Sequence, residues 1–86
     1  MSTGNERTEV EGKLLAFLRE RTGQDWTVDR DLFTEGGLSS LFAMELVLQL
    51  ENEFDIEIAG TDLRMANFRT VTAMAELVAR LQGETE

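Results

Sequence analysis

Residues 39–54 read SSLFAMELVLQLENEF, and this stretch decides the fold. Leu41, Met44, Val47, Leu48, Leu50 and Phe54 recur at steps of three and four residues, with no Gly or Pro among them. That is the period of an α-helix, so the pattern predicts one from Ser39 or Ser40 to about Phe54. Glu45, Gln49, Glu51 and Glu53 fill the other face. The apolar set is wider than one stripe, so part of it must stay exposed or be covered by something else.

Toward the N-terminus, a second helical pattern runs from about Glu6 to Arg21. Val10, Leu14, Phe17 and Leu18 share its stripe, and Arg21 closes it with a polar end. Thr8 with Glu11, or Thr3 with Glu6, offers a capping box, and Gly23 a stop. Residues 23–38 then read as a long loop, a length that is uncommon in a small domain and often functional. Trp26, Val28, Leu32, Phe33 and Leu38 are the side chains available to pin it.

Toward the C-terminus, FDIEI at 54–58 alternates like a strand. No second strand is present to pair with it, so we expect an extended loop with Ile56 and Ile58 inward. A helical turn over 61–66, capped by Thr61, should precede a last helix. Thr70 is its cap, Val71, Met74, Ala75, Val78 and Leu81 face inward, and Gly83 ends it. The fold class is therefore all-α: a small four-helix bundle of three main helices and one short one, with a long first loop. Residues 1–5 and 83–86 are expected to be flexible ends around a single domain over 6–82. Phe17, Leu50, Phe54, Ile58, Phe68 and Val78 should be buried together.

Composition narrows the chemistry. The 86 residues include no Cys, Pro, His or Tyr. No disulfide can staple the fold, so the core alone must hold it. Without His or Cys the commonest general base, thiol nucleophiles and the usual zinc sites are absent. A carboxylate-only hydrolase would need a cleft that so short a chain has little room for. A calcium hand at 55–66 fails because Ala59 and Ala66 occupy ligand positions. The net charge of −9 opposes nucleic acid and anionic membranes. MSTGNERTEV does not read as a signal peptide, and no segment is long and apolar enough to span a membrane. A cytoplasmic monomer is the expectation.

Between Arg30 and Arg64 there are eight acids and no base. A solvated surface accounts for such a run. So does a docking face for basic partners, with Glu45, Glu51 and Glu53 as steering charges and Leu41, Met44 and Leu48 as apolar contacts. Two of the chain's three serines, Ser39 and Ser40, stand at the junction of the glycine-containing loop and the central helix. On spacing alone, a helix cap explains them.

The string GLSSLFAMELVLQLENEFDIEI, however, resembles the modification-site helix of acyl carrier proteins. Leu38, Ser40, Leu41, Glu45, Leu46, Val47, Leu50, Glu51, Glu53, Phe54, Ile56 and Ile58 fit that pattern in register. The likeness extends more weakly over the first helix and over 61–81. It implies a protein without catalytic residues whose Ser40 carries 4′-phosphopantetheine, transferred from coenzyme A by a phosphopantetheinyl transferase. It implies an acyl group held on that arm as a thioester, and partners that load and accept it (an acyl-loading enzyme and an acyl-accepting synthase with basic docking patches). Ser39 stands where the family usually has Asp, which leaves a second, adjacent hydroxyl as the lesser candidate. Asp31-Leu32-Phe33, Leu38-Ser-Ser-Leu-Phe-Ala-Met44, Asp62-Leu63 and Asn67-Phe-Arg-Thr-Val71 are further similar to free-standing carriers of glyceryl, hydroxymalonyl or methoxymalonyl units. That likeness implies polyketide or related natural-product biosynthesis; the alternatives are other discrete carriers for fatty acid, polyketide or peptide pathways. The reading from another class is an unmodified acidic helical adaptor that binds a basic protein.

Overall fold

The computed structural model describes the backbone of residues 4–84 and the side chains of residues 7–83. Four helices follow in order: α1 (Gly4–Thr22), α2 (Ser40–Phe54), α3 (Met65–Phe68) and α4 (Val71–Glu84), with a 3-10 turn at Gly60–Asp62. No strand occurs among the described residues. None of these helices is long and apolar enough to cross a membrane. Helix α1 packs on α4, α3 packs on α4, and α2 packs on α3.

Helix α1 starts at Gly4 rather than Glu6, so Thr8 lies inside it and does not cap it. Thr3, the other candidate, falls outside the described residues, as does most of the expected N-terminal tail. The helix stops where expected. Gly23 takes the left-handed φ of 74°, and its amide donates to the Arg19 carbonyl at 2.8 Å. Val10, Leu14 and Leu18 are buried on its inner face. Each such side chain contributes roughly 1.5–3 kcal/mol through loss of apolar surface from water.

In α4 the Thr70 hydroxyl accepts from the Ala73 amide at 3.0 Å, the cap that the sequence predicts. Val71, Met74, Ala75, Val78 and Leu81 are buried, and Leu77 joins them, making the inner face wider than expected. Gly83 does not end this helix, which runs to Glu84. A single Gly near a helix end weakens the helix by only about 1 kcal/mol, too little to stop one held by tertiary packing.

Helix α2 divides its wide apolar set between core and solvent. Leu46 and Leu50 are its fully buried residues, whereas Leu41, Met44 and Leu48, the expected apolar contacts, are exposed. It ends at Asp55, in the left-handed region (φ 56°) that Asp tolerates better than most side chains. Residues 56–59 have no regular structure and reach an extended Ala59, with Ile56 buried and Ile58 half-buried. The expected turn over 61–66 divides in two: Thr61 lies inside the 3-10 turn, and α3 begins only at Met65, after Arg64 in extended conformation. Phe68 anchors α3 in the core. Phe17, Phe54 and Ile58 pack against the core without being fully buried. The two rings lie at its edge, where Lys13 and Arg21 cover them at 5.9 and 5.5 Å.

Candidate functional site

The loop before α2 lacks regular structure yet is closely tied down. Trp26 and Leu32 are buried, and Val28, Phe33 and Leu38 pack against the core. The Thr22 hydroxyl donates to the Leu18 carbonyl at 2.7 Å and accepts from the Trp26 indole at 2.8 Å. The Arg30 guanidinium covers the outer face of that indole at 4.4 Å.

Asp31 organises the next turn. Its Oδ1 accepts from the Phe33 and Thr34 amides, both at 2.9 Å, and its Oδ2 from Arg69 Nε at 2.9 Å. The Thr34 amide hydrogen bond is the largest cause of a carboxyl pKa lowered to about 2. Partial desolvation opposes it, and the Phe33 amide and Arg69 reinforce it. The Leu32 amide also donates to the Arg69 carbonyl at 2.7 Å, so the loop is fastened to the end of α3 by backbone and side chain together.

Gly36 and Gly37 have different reasons to be glycine. A Cβ on Gly36 would fall 2.2 Å from Trp26 Cη2 and 2.7 Å from the Leu32 carbonyl oxygen. Gly37 has open space around it but a φ of 74°, the left-handed conformation that lets the chain turn toward α2. The Leu38 amide then donates to the Leu32 carbonyl at 3.0 Å, and α2 begins two residues later.

Ser39 occupies the N-cap position of α2, with φ −84° and ψ 163°, but its hydroxyl makes no capping hydrogen bond. The capping role that spacing alone assigned to this pair is therefore not filled by a side chain. Ser40 is the first helical residue; both serines are exposed, and among the described residues neither hydroxyl has a partner. No acidic residue occupies the first turn of α2. A phosphodiester here would sit at the positive end of the helix dipole beside free backbone amides. The residues present thus fit an O-linked phosphopantetheine on an exposed hydroxyl held by a rigid loop.

Leu41, Met44 and Leu48 stand beside Ser40 at 76, 57 and 60 % exposure, an apolar stripe open to solvent. Leu63 and Met65, which the sequence did not single out as contacts, are exposed as well. The acids arrange themselves differently from a continuous free face. Glu45 pairs with Arg21, Glu53 with Lys13 at 3.3 Å, and Glu51 Oε2 accepts from the Ile58 amide at 2.9 Å. Asp31 and Asp62 pair with Arg69 and Arg80 at 2.9 and 3.0 Å. Among the described residues, Glu35, Asp55 and Glu57 are exposed without an ion pair. No cluster of metal-ligating side chains occurs among the described residues.

Residues 12–78 match the family model described as a phosphopantetheine attachment site. The chain is 32% identical over 76 residues to "D-alanyl carrier protein 2" of Lactiplantibacillus plantarum, covering 86% of this chain and 95% of that one. It is 26% identical over 78 residues to a D-alanyl carrier protein of Lactobacillus delbrueckii subsp. bulgaricus, covering 88% and 98%. A D-alanyl carrier protein of Streptococcus uberis is 39% identical over 55 residues, covering 64% and 70%. Proteins of this kind carry covalent 4′-phosphopantetheine, receive it from a phosphopantetheinyl transferase, and serve the enzymes that load and unload them without being enzymes themselves. The exposed serine pair at the head of α2, the loop that fixes it and the match over most of the chain agree: this chain belongs to the phosphopantetheine-binding carrier proteins.

Proposed function

We propose that Ser40 is the attachment residue and that the chain presents a small polar acyl group to its partner enzymes. The observation that carries the first part is the exposed, unpartnered Ser40 hydroxyl on the first residue of α2, followed by Leu41 in the family register. When bound, the arm supplies a terminal thiol that holds the acyl group as a thioester. The chain's own residues hold the attachment point still, through Leu32, Gly36, Gly37 and Asp31. They also offer Leu41, Met44 and Leu48 as apolar contacts, with Glu45, Glu51 and Glu53 as charges for basic docking patches. The carrier acts as a cytoplasmic monomer.

The cargo reading is a three-carbon polar unit. The relatives are named for D-alanyl, and the Leu-Ser-Ser-Leu-Phe-Ala-Met and Asn-Phe-Arg-Thr strings favour a glycerate-derived unit for polyketide or related natural-product assembly. The packing suits either. Leu14, Leu18, Leu32, Leu46, Leu50 and Met74 are almost wholly buried, and a long alkyl chain would have to displace them.

Intact mass after incubation with coenzyme A and a broad-specificity transferase tests the attachment. One phosphopantetheine should add to the wild type and to Ser39→Ala, and none to Ser40→Ala; full modification of Ser40→Ala sinks the assignment. The cargo is tested on the holo protein by offering D-alanine-, glycerate- and malonyl-loading enzymes with their substrates. Loading by the malonyl enzyme alone rejects the small-polar-cargo reading and leaves the carrier intact.

A further inference from the structure

The face of α2 that carries Glu45 is not free, and what holds it is a residue of α1. Phe42, Glu45, Gln49 and Glu53 follow one another at helical steps and share one side of α2. That side meets α1 through long side chains: Phe17 stacks on Phe42 with centroids 6.3 Å apart, Arg21 pairs with Glu45, and Lys13 pairs with Glu53. The Glu45 oxygen facing Arg21 is shut off from solvent, with the guanidinium against it. Arg21 also rests over the Phe17 ring at 5.5 Å, a contact that does not involve Glu45. Glu45 is at once an acid lying within the span of the exposed Leu41–Leu48 stripe and one already neutralised from within.

We infer that Arg21 is an internal competitor for Glu45: it occupies the carboxylate that a basic partner needs, and docking on α2 requires their exchange. The pair can be exchanged because both side chains are about half exposed, at 47 and 45 %. Ion pairs in that setting are weak, so an incoming guanidinium or ammonium can displace Arg21. The competitor sets the threshold for docking, so that a partner with apolar complementarity to Leu41 and Leu48 succeeds where a merely basic surface does not. This deepens the docking part of the proposed function and rests on it.

The test uses the full chain and two probes: a fluorescein-labelled amphipathic helical peptide with Arg and Lys on one face and Leu on the other, and a phosphopantetheinyl transferase with coenzyme A. Arg21→Gln should bind the peptide on the order of twofold to fivefold more tightly than wild type and with a steeper salt dependence. It should be modified faster by a similar factor. Arg21→Lys should stay near wild type. Arg7→Gln, which removes the same charge from the pair with Glu76 on α4, should change affinity much less than Arg21→Gln. In a Glu45→Gln background the gain from Arg21→Gln should vanish. Equal peptide binding by Arg21→Gln and wild type, including no binding by either, overturns the inference. So does weaker binding by Arg21→Gln, or an equal gain from Arg7→Gln. Failure of the transferase to add mass to the wild type is the failure of the carrier reading and is seen separately.

Discussion

The first loop and helix α2 reverse the usual relation between regularity and burial. The loop has no repeating hydrogen bonds, yet Leu32 is wholly buried and Trp26 nearly so. Helix α2 is the most regular element in the sequence, yet three of its large apolar residues face solvent. The difference follows from their tasks. An irregular backbone stays in place only when its polar groups find partners and its apolar groups find a core, and this loop achieves both through Thr22, Asp31 and Arg69. A helix satisfies its own backbone, so its outward side chains can be given to recognition at little cost in stability.

The comparison breaks most easily in the loop. Leu32→Ala should destabilise as much as Leu50→Ala in the helix core, about 2–5 kcal/mol by denaturant titration. That is a large part of the 5–15 kcal/mol typical of a domain. Phe54→Ala should cost less than either, because that ring is only partly buried. A negligible shift for Leu32→Ala would show the loop to be a passive tether. Gly36→Ala should cost roughly 1–3 kcal/mol, since its methyl group must push both the Trp26 ring and the Leu32 carbonyl aside.

Acid offers a gentler perturbation of the same loop. Asp31 is held below its ordinary value, to about 2, so its contribution to stability is complete above about pH 4 and is lost as pH falls toward 2. Asp31→Asn should flatten the stability profile across that window; an unchanged profile would mean that the carboxylate does not tie the loop to Arg69. At the other extreme, Leu41→Ser and Leu48→Ser should move the denaturation midpoint by no more than about 0.5 kcal/mol of stability. Both should nevertheless slow modification by the transferase, which would sharpen the contrast between a loop built for position and a helix built for contact.

Much of this was legible in the chain. The three long helices, the Thr70 cap and the Gly23 stop follow from local chemistry: apolar period, hydroxyl capping and left-handed glycine. The inward loop residues were legible because Trp, Leu and Phe in a polar stretch have nowhere else to go. Gly83 as a stop and Thr61 as a cap failed because each rested on a single-residue preference of a kilocalorie or less, which packing around Leu81 and Phe68 overrides. The serine pair was found through its register with a known family rather than through its chemistry, since a cap accounts for two serines before a helix equally well.

The sequence by itself determined the helical class, the position of the serine pair at a helix start and the excess of acid around it, because these depend on residues near one another in the chain. Only the tertiary structure decided which acids are free. Arg21 lies 24 residues from Glu45, Lys13 lies 40 from Glu53, and Asp31 and Arg69 are separated by 38. No local pattern pairs them. Coulomb attraction acts through space, and the bundle's packing, not the order of residues, sets those distances.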